Sequence, residues 1–178
     1  MRTTLAAIAI CAAMWGQDSR QDKRKDFMAD LDRLQSQAKA AYEREMAREK
    51  AAEKAGDCPN ADNTRAIVEC LGDEISTTTE NFKAFTGAIR SILSLEGADA
   101  KDTVFGPTGQ TPSRDEVLRA FDDASSAWDK YSKAQCDAIS GLYKGGTFAN
   151  VAGEGCQLLL LRSRMREMDA IYDAPLRR

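Results

Sequence analysis

The chain has 178 residues, 43% hydrophobic and 30% charged, enough to bury one core. It contains no histidine, which excludes Ser/His/Asp and Cys/His nucleophilic sets. The net charge of −3 is uneven: residues 1–56 carry 11 basic and 9 acidic side chains, and residues 57–178 carry 14 and 19. No basic patch with interleaved aromatics speaks for nucleic acid. An acidic exported domain would instead draw a cationic partner by a long-range, salt-sensitive attraction.

The chain opens with Arg2 and an apolar run from Thr3 to Ala13. That run has the length of a signal-peptide core and falls short of the roughly 20 apolar residues of a membrane span. Cleavage after Ala13 or Gly16 is expected, which sets residues 1–16 aside as a signal peptide and places the mature protein in the periplasm or medium. Cys11 raises a lipoprotein reading, but Ile10 before it is larger than the residue that normally precedes a lipidated cysteine. Residues 17–56 form a charged helical segment. Its apolar stripe runs Phe27, Leu31, Leu34, Ala38 and Ala41, then fades to Met46 and alanines. The reading is a helix amphipathic at its start and solvated at its end. It would serve as a spacer, pack on the rest, or self-associate.

Three further helices follow by their steps of three and four. The first carries Val68, Leu71, Ile75, Thr78, Phe82, Phe85, Ile89 and Ile92. The second carries Val117, Phe121, Ala124, Trp128, Tyr131, Gln135, Ala138 and Leu142, and Ser113 to Glu116 fits a capping box at its start. The third carries Leu158, Leu161, Met165, Met168 and Tyr172. Residues 97–112 hold three glycines and two prolines and read as a long surface loop. No segment alternates with the period of a strand. The fold class is all-α, an antiparallel bundle with an extra charged N-terminal helix.

Four cysteines lie beyond the N-terminal run: Cys58, Cys70, Cys136 and Cys156. An even number in an exported chain reads as disulfides, with three connectivities open. Twelve residues of unbroken helix would span about 18 Å, too far for a bridge. Pairing Cys58 with Cys70 therefore needs the chain to fold back after Cys58. The glycine-rich stretch 141–155 allows the same reversal between Cys136 and Cys156. A zinc site is the weaker use of these cysteines, because they lack CxxC spacing. No cofactor or metal is implied.

The segment Trp128-Asp129-Lys130-Tyr131-Ser132-Lys133-Ala134-Gln135-Cys136, then Gly145-Gly146-Thr147, then Cys156 with Arg164 eight residues on, resembles the signature of the LprI-type lysozyme-inhibitor family. Cys58 and Cys70, twelve residues apart, match its first half. The resemblance covers residues 57–173 and marks residues 57–174 as an LprI-like helical domain. It implies an exported helical domain with Cys58–Cys70 and Cys136–Cys156 disulfides and, for some members, inhibition of lysozyme. Ser132 stands where the family pattern has arginine, and Thr79, Phe82-Lys83 and Thr86 also depart from it.

Trp128 and Tyr131, lying on the apolar stripe, read as core, or else as partner contacts. Gly145-Gly146 reads as a tight turn, or else as a loop that enters a partner's cleft. Arg162, Arg164 and Arg166 read as solvated or paired with carboxylates, and Asp57 and Asp62 as turn and cap residues. Asp122, Asp129 and Asp137 lie along one helix and are the candidate partner-facing acids for a cationic lysozyme. Two functions stay open: a non-enzymatic exported inhibitor of a cell-wall hydrolase, or an envelope interaction module. On the first, activity is expected within residues 57–178 without the N-terminal helix.

Overall fold

The computed structural model describes residues 5–95 and 112–176, with side chains from residue 21 onward save those of residues 174 and 175. It is helical as expected, with α1 at Leu5–Ala55, α2 at Thr64–Ser94, α3 at Arg114–Leu142, α4 at Ala149–Ile171 and a single turn, α5, at Asp173–Leu176. The described residues contain no strand and no helix long and apolar enough to cross a membrane. The expected loop over residues 97–112 lies outside the described residues apart from Pro112, and so does the side chain of Cys11.

Local chemistry sets the helix ends. Gly56, at φ +83°, takes the left-handed conformation that ends α1, and its N–H donates to the Ala52 carbonyl at 2.7 Å. Asn63 caps α2 by accepting from the Ala66 N–H at 3.0 Å. The capping box at α3 is present: the Glu116 N–H donates to Ser113 Oγ, and the Ser113 N–H donates to Glu116 Oε2 at 2.7 Å.

The sequential helices are antiparallel. Phe27, Leu31 and Leu34 of α1 cluster with Ile92 of α2, while Glu45 further along α1 meets Thr78, earlier on α2. Arg90 of α2 meets Asp122 near the start of α3, and Phe82 meets Trp128 half a helix later. Phe121 and Tyr172 meet edge to face at one end of the α3–α4 pair, and Cys136 and Cys156 are bonded toward the other. α2 and α4 form the central pair, with α1 and α3 making no contact with each other. The main core gathers Ala38, Ala41, Phe85, Ile89, Phe121, Met165 and Met168.

The charged end of α1 is solvated over most of its surface, with Glu43, Arg44, Lys50, Glu53 and Lys54 exposed, but one face of it packs on the bundle. Glu45 is fully buried, one turn beyond Ala41 on the same face. Its carboxylate accepts from Thr78 Oγ1 at 2.8 Å, Asn81 Nδ2 at 3.0 Å and Arg162 Nε at 3.0 Å. Arg162, 5% exposed, also donates through Nη1 to Asp57 at 2.6 Å, and its Nη2 lies 3.6 Å from Glu74. Arg48 closes the ring by donating to Glu74 at 2.6 Å. Burial alone would push the Glu45 carboxyl up. Hydrogen bonds from Asn81, Thr78 and Arg162, with the guanidinium charge, outweigh it and hold the group below its ordinary value. The N-terminal helix therefore packs on the bundle and supplies the counter-ion of a buried arginine on α4. A fragment of residues 57–178 would leave Arg162 without Glu45. The expectation that this fragment suffices does not account for that contact.

Both cysteine pairs are bonded locally, Cys58–Cys70 at a Cα separation of 6.0 Å and Cys136–Cys156 at 5.5 Å. The chain after Cys58 folds back through a turn in which the Ala61 N–H donates to the Cys58 carbonyl at 3.2 Å. Loops of 12 and 20 residues contribute roughly 3 kcal/mol each in the chain-entropy account.

Candidate partner-binding surface

α3 is the least buried of the long helices, with Phe121 its single buried residue. Its inward face runs through Phe121, Ser125, Trp128, Ser132 and Cys136, so small side chains let it approach α4. Tyr131 lies about 80° round the helix from Phe121 and is 55% exposed. Leu142, on the same side, is also exposed. The apolar stripe read from the sequence thus drifts off the packed face, and Tyr131 is not a core residue. Trp128 is half-buried, its ring 5.4 Å from that of Phe82.

A shallow groove of about 280 Å³ between α2, α3 and α4 brings several expected residues together. Phe82, Phe121, Trp128 and Met168 line it, with Asp122, Asp129 and Arg164 also on its wall. Arg90 donates twice to Asp122, both at 2.8 Å, and this pairing holds the Asp122 carboxyl below its ordinary value. Arg164 donates to Glu167 at 2.6 Å.

A second cleft of about 490 Å³ lies between α3 and α4 beside the Cys136–Cys156 bond. Asp129, Asp137 and Glu154 line it, with Lys133 donating to Asp137 at 2.8 Å. Glu154 Oε2 is buried without a hydrogen-bond partner among the described residues, and burial pushes its carboxyl up. Ser132, at the family's arginine position, also lines this cleft, and its hydroxyl donates to the Asp129 carbonyl at 3.1 Å. Of the three candidate acids, Asp122 and Asp137 are engaged by cations of the chain itself. Asp129 has no ion pair among the described residues and borders both clefts.

The α3–α4 connection is a tight turn. The Gly146 N–H donates to the Tyr143 carbonyl at 2.8 Å, and Gly145 has φ +87°. A Cβ on Gly146 would stand 3.3 Å from the Tyr143 carbonyl oxygen, so both glycines are used by the geometry. Within residues 55–168 the chain matches the model of the family described as Lysozyme inhibitor LprI. The chain belongs to the LprI family. No curated protein and no solved structure matches it. The LprI match takes in both disulfides, the half-buried tryptophan, the glycine turn and Arg162, but leaves out almost all of α1.

The described residues place no three Cys, Asp or Glu side chains together in a way that could hold a metal ion. Sequence reasoning missed the burial of Glu45 and the use of Asp57 as a ligand of Arg162. The signal available for Glu45 was its position four residues after Ala41, which continues the seam of Leu34, Ala38 and Ala41. Arg166 is carboxylate-paired, as expected, through Glu49 of α1.

Proposed function

We propose that the mature chain is an exported, non-enzymatic inhibitor that binds a lysozyme or related cell-wall hydrolase stoichiometrically and blocks its cleft. The observation that carries this reading is the LprI family match over residues 55–168. Two features support it. Residues 57–178 carry a charge of −5, suited to attract a cationic enzyme. The apolar N-terminal run before residue 17 has the character of an export signal and would bring the domain to the compartment where lysozymes act. Of the three candidate acids, Asp129, exposed on α3 and without an ion pair among the described residues, is the one best placed to add to that attraction.

The test is lysis of bacterial cells by chicken-type, goose-type and invertebrate-type lysozymes, followed by turbidity. Mature protein that keeps residues 17–55 of α1 is added across a range of salt. Inhibition at a one-to-one ratio that weakens as the Debye length falls below about 8 Å is the expected result. Reduced and alkylated protein should lose it. Lysis unchanged at micromolar excess for every class would overturn the reading in favour of an envelope interaction module.

A further inference from the structure

The α3–α4 turn exposes apolar surface that the fold does not use. Leu142 is 77% exposed, Tyr143 45% and Phe148 49%, and the two rings meet edge to face at 5.2 Å. Lys144 stands between them in sequence, exposed and without a carboxylate partner among the described residues. Tyr143 and Phe148 are in contact and Leu142 directly precedes Tyr143, so exposed apolar surface is concentrated at one turn.

The base of this turn is fixed from several sides. Cys136 and Cys156 are bonded below it. Ser140 Oγ donates to the Ala149 carbonyl at 3.0 Å, across the two helices. Gly153 of α4 lies so close to α3 that an added Cβ would stand 3.3 Å from Ser140 Cβ. A tip held this way loses little freedom on binding, and aromatic residues held rigidly are the usual anchors of an interface.

We infer that this tip, with Leu142, Tyr143 and Phe148 as apolar shoulders and Lys144 as a central cation, inserts into the active-site cleft of the inhibited lysozyme. The inference rests on the inhibitor reading above and names the contact surface. Charge complementarity selects the occupant. A glycosidase cleft is concave and carries a pair of carboxylates flanking the scissile bond. An exposed turn that carries, next to Tyr143 in sequence, one ammonium without a carboxylate partner among the described residues is its complement. The acidic remainder of the domain steers the cationic enzyme from a distance, while the local cation meets the carboxylates at contact.

The experiment compares four full-length mature proteins against a chicken-type lysozyme: wild type, Lys144→Glu, the triple variant Leu142→Ser/Tyr143→Ser/Phe148→Ser, and Ile171→Ser. Ile171 is an exposed apolar residue at the far end of α4 and serves as the control. Circular dichroism and melting show whether each variant is folded, and the exposed positions should leave both unchanged. The inhibition constant should rise about thirtyfold for Lys144→Glu and for the triple variant, a hot-spot loss, and stay unchanged for Ile171→Ser. Chitotriose, which fills the cleft, should compete with wild type for binding. Wild-type inhibition that survives both tip variants would overturn the tip while leaving the inhibitor reading standing. Weakened variants without chitotriose competition would overturn insertion into the cleft. Absence of inhibition by wild type for every lysozyme class named above would overturn both readings.

Discussion

Replacing Glu45 with alanine probes the contact that ties α1 to the bundle. The substitution removes the carboxylate that accepts from Thr78, Asn81 and Arg162. Arg162 keeps Asp57, so it is not stripped of every partner, but its Nε is left facing a cavity. Breaking a buried pair from one side costs about 3–5 kcal/mol. The two neutral donors left unsatisfied are part of that figure rather than additional to it. For a chain of this size the loss corresponds to a fall in melting temperature of about 6–20 °C. Urea titration with disulfides intact measures it directly, and a double-mutant cycle with Arg162→Met isolates the pair. The double variant Glu45→Ala/Arg162→Met should cost less than the two single changes added together, because neither member of the Glu45–Arg162 pair is left buried without the other. A loss for Glu45→Ala below about 1 kcal/mol, within the range of an exposed pair, would refute the buried network. So would strict additivity in the cycle.

Four further outcomes are expected. The Glu45 carboxyl is held below its ordinary value in the folded chain, so its stabilisation is complete above that value of 4.5 and is lost as pH falls below it; Glu45→Gln should flatten the acid limb of a stability–pH curve. Glu154 is raised by burial, the opposite sign, so its ionised form opposes folding above its ordinary value; Glu154→Gln should raise the neutral-pH melting temperature, and a fall would contradict the unpartnered Oε2. Trp128→Ala should cost about 1–3 kcal/mol in chemical denaturation, below the 3–5 kcal/mol of a fully buried tryptophan, because the ring is half-buried against Phe82. The double variant Cys136→Ser/Cys156→Ser should raise hydrogen exchange over residues 128–148 while α1, α2 and α4 stay protected, since α3 buries only Phe121; uniform loss of protection would show that the disulfide supports the whole core.

Helix positions were legible because apolar spacing, capping chemistry and glycine punctuation agree. The stripes Leu71 to Ile92 and Leu158 to Tyr172 lie on packed faces, and Ser113 starts α3 as its side chain dictates. The face of α3 was not legible. Its packed side is built from Ser125, Ser132 and Cys136, whose burial comes from close approach to α4 rather than from hydrophobicity, while Tyr131 and Leu142 advertise a core they do not enter. Glu45 was hidden for a different reason. In the run Arg44 to Lys54, the exposed pairs of a solvated helix and a buried carboxylate have the same spacing, and the deciding partners lie 33 to 117 residues away. Of the candidate surface, the glycine turn was legible. The exposure of the aromatic pair beside it was not, because an aromatic residue carries no mark that separates anchor from core.

The ion network crosses the edge of the family segment, since Arg162 lies inside it and Glu45 outside. Natural variation should therefore be correlated across that edge. Relatives that keep an arginine at the position of Arg162 should also possess a preceding helix with an acid at the position of Glu45. Relatives that begin near position 55 should carry an uncharged residue there, or else add a further acid within the segment to those at the positions of Asp57 and Glu74. The N-terminal helix would then be inherited together with a single residue more than a hundred positions away.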